Sequence, residues 1–332
     1  MLKPAYKLTI GRKLIDTTDE PKASTVVDLQ VAVDLETPAD SFTFVMGDVG
    51  RFKPARDDET KVELGYEDDG GFTTVIKGKV VTVEPNLITT RVAGFSGADA
   101  LLRTFVNQTY ESKTAGAIVR DLADKAKLEV ATAEDGIKFP AYVIDARRSV
   151  YLHMHDLAEL CGFDVYINSD GKLVFEKFVG GKTVHVFEFA KHIVALEVDK
   201  TPPLAGLVEI WGESPAGSRG EDAWPWLTTD FSASHGNAGS GALLLRERPA
   251  LRTKEAALTA AKAALTNINR RTLRGRVTTF GRPEVKLGDA IRLQGLADNS
   301  LNQSFQVRSV SHRITKIEGF TTTVGFRGIQ TA

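Results

Sequence analysis

The sequence predicts an α+β protein that is mainly β, in which an α+β module separates two β units. Apolar and polar residues alternate along residues 27–35 and 61–66, which is typical of strands with one buried face. Between Ser149 and Cys161 the apolar spacing becomes helical, and alternation returns along residues 321–326. At 332 residues, the chain is long enough to form two or three compact units.

The first β unit is predicted to span residues 1–95. Strands are expected at Tyr6–Ile10 and Lys61–Tyr66, and Asp68–Gly71 carries the turn residues of a β-hairpin. Gly78 interrupts the long strand that follows and predicts a β-bulge there. Several short strands at regular spacing indicate a small barrel or sandwich.

The middle module is predicted to span residues 96–190 and to contain helices followed by a hairpin. Thr114 and Ser149 each precede a helical repeat, and each side chain can cap its helix by accepting a backbone hydrogen bond. Gly162 follows the second helix, at the position where a left-handed residue often ends a helix. Asn168–Gly171 supplies the turn between two short alternating strands.

The second β unit is predicted to span residues 191–332. Residues 212–245 are rich in Gly, Ser, Pro and Ala, which predicts a loop insertion, and Gly236–Gly241 is expected to be a flexible loop. An Ala-rich helix is predicted over residues 253–270. We find no exact internal repeat in the sequence, although the two β units are compatible with a similar fold.

Composition narrows the classes of function. The formal net charge is −1, so no general electrostatic attraction to nucleic acid or to a membrane surface is expected. The single cysteine, Cys161, permits no internal disulfide, which fits assembly in a reducing cytoplasm. No signal peptide and no transmembrane segment are predicted, because no apolar stretch has the required length.

No residue cluster predicts a catalytic, cofactor or metal site. His153 and His155 lie two apart on a helix and therefore point about 200° away from each other, so with Asp156 they are expected to form a surface or interface group. The acidic clusters at residues 57–59 and 67–69 fall among turn signals, where solvated carboxylates are normal. The chain is accordingly predicted not to be an enzyme.

Four residues are candidate contacts with partners. Arg274 and Arg276 belong to a dense basic run, for which an intersubunit salt-bridge surface is the favoured interpretation and the lining of a polymer channel the alternative. Trp224 and Trp226 stand in a polar loop, outside any periodic core pattern. Such exposed aromatic residues indicate either a contact site or a loop that folds back on its own domain.

Three blocks of sequence carry a family resemblance. They are Phe105–Tyr110 with helix Ala115–Lys127, then Leu157–Phe163 with Asp170–Leu173, and finally Gly281–Asp289, Phe305–His312 and Gly319–Thr322. In order and spacing these blocks resemble the late control gene D family of contractile phage tails, with its T4-like and Mu-like baseplate hubs. The hub part of type VI spike proteins is similar.

The resemblance implies a structural baseplate hub and a homotrimer. Residues 1–95 and 191–332 would each be a tube-like β-barrel domain, so that three subunits form a pseudo-sixfold ring between a hexameric tail tube and a trimeric spike. The implied partners are the spike protein, the first tail-tube ring and baseplate wedge proteins. DNA or an effector would pass through the channel without sequence-specific binding. Assembly in the bacterial cytoplasm into a phage virion tail or injection particle, without membrane insertion, is expected.

Two other functions remain open. A tail-associated peptidoglycan hydrolase would require two carboxyl groups about 5–9.5 Å apart in a cleft. A nucleic-acid-binding regulator would require strongly salt-dependent DNA binding, and the near-neutral net charge argues against it. Longer family members continue into spike or lysozyme domains, so here these are expected to be separate proteins.

Overall fold

The computed structural model describes residues 3–17, 26–47, 53–68, 71–214 and 227–329. The regular elements described in the N-terminal part are strands, which alternate buried and exposed residues as the sequence predicts. They are β1 (Pro4–Ile10), β2 (Lys13–Asp16), β3 (Val26–Asp34), β4 (Ser41–Gly47), β5 (Glu59–Tyr66), β6 (Phe72–Pro85) and β7 (Thr89–Ser96).

The middle part mixes helices and short strands. Its elements are α1 (Ala98–Arg103), β8 (Gln108–Thr114), α2 (Ala115–Lys125), β9 (Val130–Ala133), β10 (Lys138–Ile144), α3 (Val150–Cys161), β11 (Asp164–Ile167) and β12 (Leu173–Glu176). Thr114 caps α2 as predicted, because its hydroxyl accepts a hydrogen bond from the Ala117 amide at 3.2 Å. Gly162 ends α3 with a left-handed φ of 71°, which confirms the predicted helix end.

The C-terminal part begins with β13 and contains one long helix. Its elements are β13 (Val184–Glu188), β14 (Ile193–Lys200), β15 (Leu207–Trp211), β16 (His235–Gly239), β17 (Leu243–Glu247), α4 (Lys254–Arg270), β18 (Leu273–Phe280), β19 (Ala290–Gln294), a 3-10 turn at Asn299–Leu301, β20 (Ser304–Thr315) and β21 (Gly319–Gly328). The predicted Ala-rich helix is confirmed. The prediction of a loop over residues 212–245 is wrong in its second half, because β16 and β17 lie there and pair with β15 on either side.

One sheet of 13 strands joins the two ends of the chain. Its main path runs β14-β18-β21-β20-β3-β4-β7-β6-β5-β1-β2, and β19 with β13 branches from β20. The chain is therefore α+β and mainly β, as predicted. Closed barrels are not confirmed, since no strand pairing closes this path within the described residues.

Three hydrophobic cores lie along this architecture. The first packs against the N-terminal strands around Phe42 and Phe44, and the second packs against the C-terminal strands around Phe305 and Phe326. The third and largest unites the middle module with β15 and α4. Helix α4 packs on α3, so it extends the core of the module, although the sequence pattern alone assigned it to the second β unit.

The two ends of the sheet repeat the same strand order. The strands of each set are hydrogen-bonded side by side in the orders β3-β4-β7-β6-β5 and β14-β18-β21-β20-β19. When the five strands of a set are numbered along the chain, both orders read first, second, fifth, fourth, third. Every neighbouring pair is antiparallel. Each set has a register shift in its first pair, at Val27 and at Val194, and another in its fourth strand, at Val81 and at Arg308. These matching bulges fix the equivalence of the residues that flank them, whereas a further shift between β5 and β6 has no counterpart between β19 and β20.

A turn before the third strand repeats in atomic detail. The Asp58 carboxylate accepts a hydrogen bond from the Ala55 amide at 2.8 Å, and the Asp289 carboxylate accepts one from the Lys286 amide at 3.0 Å. The residue before each aspartate is left-handed, with φ of 68° at Asp57 and 88° at Gly288. The carbonyl of each aspartate then accepts a bond from the fourth strand of its own half. The chain therefore contains an internal structural repeat that the sequence analysis did not detect.

Three local expectations are corrected by tertiary contacts. The Ser149 hydroxyl has no hydrogen-bond partner among the described residues, so it does not cap α3. Gly78 is not a bulge; a Cβ there would lie 2.1 Å from the Phe95 carbonyl oxygen, so glycine permits close strand approach. Val27, predicted on the buried face, is 44% exposed because it occupies the bulge of β3.

Two buried titratable groups give opposite pH dependences. Burial raises the pKa of Asp40 from 3.8 to about 7, and burial lowers the pKa of His312 from 6.5 to about 3. The folded state holds the Asp40 proton that the unfolded chain loses, so this stability is complete below about pH 4 and is lost as the pH rises through 7. Neutral His312 instead contributes stability above pH 6.5 that is lost on acidification.

The substitution Asp40→Asn is expected to reveal the His312 dependence. Between pH 4.5 and 6.5, the contributions of Asp40 and His312 to the pH dependence of stability have opposite signs in the native protein. In the variant the free energy of unfolding should rise with pH by up to about 1.4 kcal/mol per pH unit, the slope for one proton. Urea titrations at half-unit pH intervals measure this slope. Parallel curves for the variant and the native protein would refute the assignment to Asp40.

Candidate interaction surface

The repeat builds one continuous surface, which we call the strand wall: the strands β14-β18-β21-β20-β3-β4-β7-β6 in their hydrogen-bonded order. One face of the strand wall packs on the N-terminal and C-terminal cores. Residues such as Phe44, Leu29, Val324 and Val277 are at most 1% exposed on that face. Alternate residues point to the opposite face, one end of which is covered by the β11–β12 hairpin, where Asp164 contacts Gln306 and Arg308.

That opposite face carries small polar side chains across the middle of the strand wall. A row of directly opposed residues crosses six neighbouring strands without interruption: Ser41, Ala32, Ser311, Thr323, Thr278 and Ala195. The hydroxyls of Thr278 and Thr323 lie 3.1 Å apart. A face of Ser, Thr and Ala offers short hydrogen-bonding groups but little apolar area, so it suits contact with water or a moving polymer better than tight packing.

Several charges on this face stand opposite a charge of the other sign. Arg313 contacts Asp28 at 3.1 Å, and both lie on the β20–β3 ladder. Arg274 contacts Asp199 at 3.4 Å, and Arg276 stands opposite Glu197 in the β14–β18 pair. The predicted contact residues Arg274 and Arg276 are exposed at the β14 end of the strand wall. Arg274 also stands opposite Arg327 in the β18–β21 pair, so acidic and basic side chains are mixed at this end of the wall.

The other two predicted contact residues, Trp224 and Trp226, lie outside the described residues. They stay a prediction. The surface that sequence reasoning missed is the row of small residues, whose signal is the alternation of Ser, Thr and Ala with apolar residues in β20 and β21.

The His153–Asp156 segment of α3 is arranged differently from the prediction. His153 is buried, with Nε2 3.0 Å from the Asp145 carbonyl oxygen, so it is a hydrogen-bonded core residue and not a surface group. Asp156 accepts a bond from Arg148 at 2.6 Å. Within the described residues, no group of three His, Cys, Asp or Glu side chains is placed to hold a metal ion. No helix there is long and apolar enough to cross a membrane.

An ionic network joins the β11–β12 hairpin to the C-terminal strands. The Asp164 carboxylate accepts hydrogen bonds from Arg308 at 2.8 Å and from Gln306 at 2.5 Å. Arg327, 6% exposed, donates from Nε to the Gln306 side-chain oxygen at 2.9 Å. Burial and the charge of Arg308 lower the pKa of Arg327 to about 9. The network therefore concentrates positive charge around one carboxylate.

Arg308 and Arg327 also line a groove between α3, α4 and the C-terminal strands. The groove has a volume of about 420 Å³, and Glu159, Arg246 and Arg271 lie on its walls. Arg246 and Glu159 pair across it at 2.7 Å. Ion pairs of Arg246 with Glu159 and of Arg308 with Asp164 therefore connect the middle module to the C-terminal part across this groove.

Searches by sequence and by fold give different results. No family model and no curated protein matches the chain by sequence. The 43 kDa tail protein of prophage MuSo2 from Shewanella oneidensis is similar in fold, with a TM-score of 0.71 and 13% identity over 97% of each chain. A tail protein from Neisseria meningitidis is similar over 98% of this chain and 97% of the other, with a TM-score of 0.72 and 13% identity.

A third similar structure comes from Escherichia coli. It is a type VI secretion component described as structurally similar to bacteriophage T4 tail proteins, and it matches 98% of this chain and 77% of its own length, with a TM-score of 0.62 and 9% identity. At these identities the similarity concerns the fold. The chain thus has the fold of phage tail proteins and of this secretion component.

Proposed function

We propose that this protein is a structural, non-enzymatic component of a contractile tail or injection system, acting as the baseplate hub between tube and spike. The observation that carries the proposal is the internal repeat. Each chain supplies two topologically equivalent strand sets, β3-β4-β7-β6-β5 and β14-β18-β21-β20-β19. Three copies would supply six such sets, so a homotrimer can match a sixfold tube on one side and a threefold spike on the other.

The strand wall supports a role in lining the channel of that ring. Its exposed face joins both halves of the chain without a break and carries small polar residues with paired charges. Such a lining would let DNA or an effector pass without the excess positive charge that traps nucleic acid. The fold similarity to tail proteins supports the same assignment. The proposed partners are the spike protein, the first tube ring and wedge proteins, in a virion tail or injection particle.

The solution mass of the purified chain, alone and with the spike protein of the same particle, tests this function. A mass corresponding to three copies is expected at least in the presence of the spike, and averaged particle images should show six similar lobes. A chain that stays monomeric with the spike would contradict the hub assignment. A cell-wall zymogram tests the hydrolase alternative, for which a cleared band is the diagnostic result.

A further inference from the structure

A junction between β20 and β3 joins the two repeat units within the described residues. Strand β20 of the C-terminal unit pairs with β3 of the N-terminal unit, from Ser309 opposite Asp34 to Thr315 opposite Asp28. The β20–β21 hairpin also places Phe320, 4% exposed, in the N-terminal core. The junction thus combines a β-ladder with an apolar anchor from the neighbouring unit.

The equivalent ladder positions on the other sides of the two units are open. Strand β6 corresponds to β20, but only its first part pairs with β5, so Thr82–Pro85 has no partner opposite β7 within the described residues. Strand β14 corresponds to β3, and its described pairing is with β18 alone. Each subunit therefore presents two open strand edges, one on β6 and one on β14. They are equivalent to the edges of β20 and β3, which already pair inside the chain.

The apolar anchor of this open junction is also exposed. The β6–β7 hairpin, equivalent to β20–β21, carries Leu87 and Ile88, which are 93% and 77% exposed. Val92 and Val324 are equivalent in the repeat. Ile88 precedes Val92 by the same number of residues as Phe320 precedes Val324, so Ile88 is the counterpart of Phe320. Two adjacent exposed aliphatic residues at a hairpin tip are a poor arrangement for a free surface.

We propose that β14 of one subunit pairs antiparallel with Thr82–Pro85 of β6 in a second copy of this chain, while Leu87 and Ile88 of that copy pack against the first subunit. This inference rests on the proposed ring. By the equivalences of the repeat, Val83 stands opposite Lys200 and Glu84 opposite Asp199. Pairing of this kind removes both open edges from the assembled ring.

The intermolecular junction differs from its internal template in ways that weaken it. Strand β6 ends at Pro85, so the ladder is shorter than that of β20. Pro202 stands where Leu35 donates its amide hydrogen to the Arg308 carbonyl, and proline has no such hydrogen. Glu84 and Asp199 place like charges opposite each other. Three strong internal junctions therefore alternate with three weaker ones, and ring closure depends on concentration or on a spike that templates it.

A cysteine pair tests the proposed register. Glu84→Cys combined with Asp199→Cys places the two thiols opposite each other, within the Cα separation that a disulfide requires, and it removes the like-charge contact. Native Cys161 is buried and adds little background. Copper–phenanthroline oxidation of the full chain with the spike protein is expected to give covalent dimers and trimers, at least tenfold more than the control pair Glu84→Cys with Glu197→Cys.

The outcomes separate the ladder from the ring. Trimers by mass with no preference for the in-register pair would overturn the ladder and leave the hub assignment intact. Absence of any trimer, with or without the spike, would overturn the hub assignment and the ladder with it. Selective cross-linking of the in-register pair supports both.

A hairpin variant tests the apolar anchor independently. Ile88→Asp is expected to raise the protein concentration needed for half-maximal trimer formation at least tenfold, because burial of the charge at the junction is unfavourable. Ile317→Asp is the matched control: Ile317 is 96% exposed at the tip of the equivalent hairpin and is placed at no proposed contact. Equal trimer formation by the two variants, both folded by circular dichroism, would overturn the anchor.

Discussion

Replacement of Asp164 by alanine is expected to lower the free energy of unfolding by about 3–5 kcal/mol, the range for removing one partner of a buried ion pair. The Asp164 side chain is 12% exposed, and that of Arg308 is 14% exposed. Without the carboxylate, Arg308 and Arg327 remain close together in a poorly solvated site. Arg308 then keeps its contact with Glu36, which is 59% exposed and 3.4 Å away. Urea unfolding at pH 7 measures the loss.

Asp156→Ala is the matched control for this experiment. Asp156 also pairs with an arginine, at 2.6 Å from Arg148, but both side chains are about two-fifths exposed. Solvent screening limits such a pair to about 0–1 kcal/mol. Equal effects of Asp156→Ala and Asp164→Ala would show that removal of Asp164 leaves no uncompensated buried charge.

The sequence predicts the elements whose signals are local. Thr114 and Gly162 lie next to the turns they terminate, so capping and left-handed preference are readable within a few residues. The hairpin around Asn168–Gly171 is predicted for the same reason. Ser149 is the exception, because its hydroxyl is buried by packing that no local pattern reports.

Features that depend on distant residues are not predictable from these patterns. Asp164 and Arg308 are 144 positions apart and meet only after the hairpin packs on the C-terminal strands. The internal repeat is conveyed by strand order, bulge positions and a turn, whereas the side chains differ: Asp57 stands where the second unit has Gly288. Backbone register can be retained while side chains change, since antiparallel hydrogen bonds involve the main chain alone.

The small-residue row of the strand wall shows a third limit. Ser311 and Thr323 are recognisable as polar positions of alternating strands, but their alignment with Ala32 depends on the pairing of β20 with β3. Which strands become neighbours across the two units is decided by tertiary packing. The candidate channel lining therefore becomes visible only in the assembled sheet.

Replacement of Phe320 by alanine is expected to cost about 3–5 kcal/mol of unfolding free energy, as for other large-to-small changes at buried aromatic residues. The ring centroid of Phe320 lies 5.7 Å from that of Tyr66 and 6.1 Å from that of His312. It also covers Gly281, where a Cβ would meet the ring at 2.0 Å. Because these partners come from both repeat units, the cavity would loosen the internal junction as well as the core.

Phe280→Ala separates this effect from a general loss of aromatic surface. Phe280 stands opposite Thr321, the residue that follows Phe320 in the chain. The Phe280 side chain is 64% exposed and belongs to none of the three cores. Its removal is expected to change the free energy of unfolding by about 0.5 kcal/mol or less. If the junction is where the two units hold each other, amide exchange in β3 should accelerate in Phe320→Ala and stay unchanged in Phe280→Ala. Comparable exchange in both variants would mean that the β20–β3 ladder does not depend on the Phe320 anchor, and the template from which the intersubunit anchor at Ile88 is inferred would lose its energetic basis.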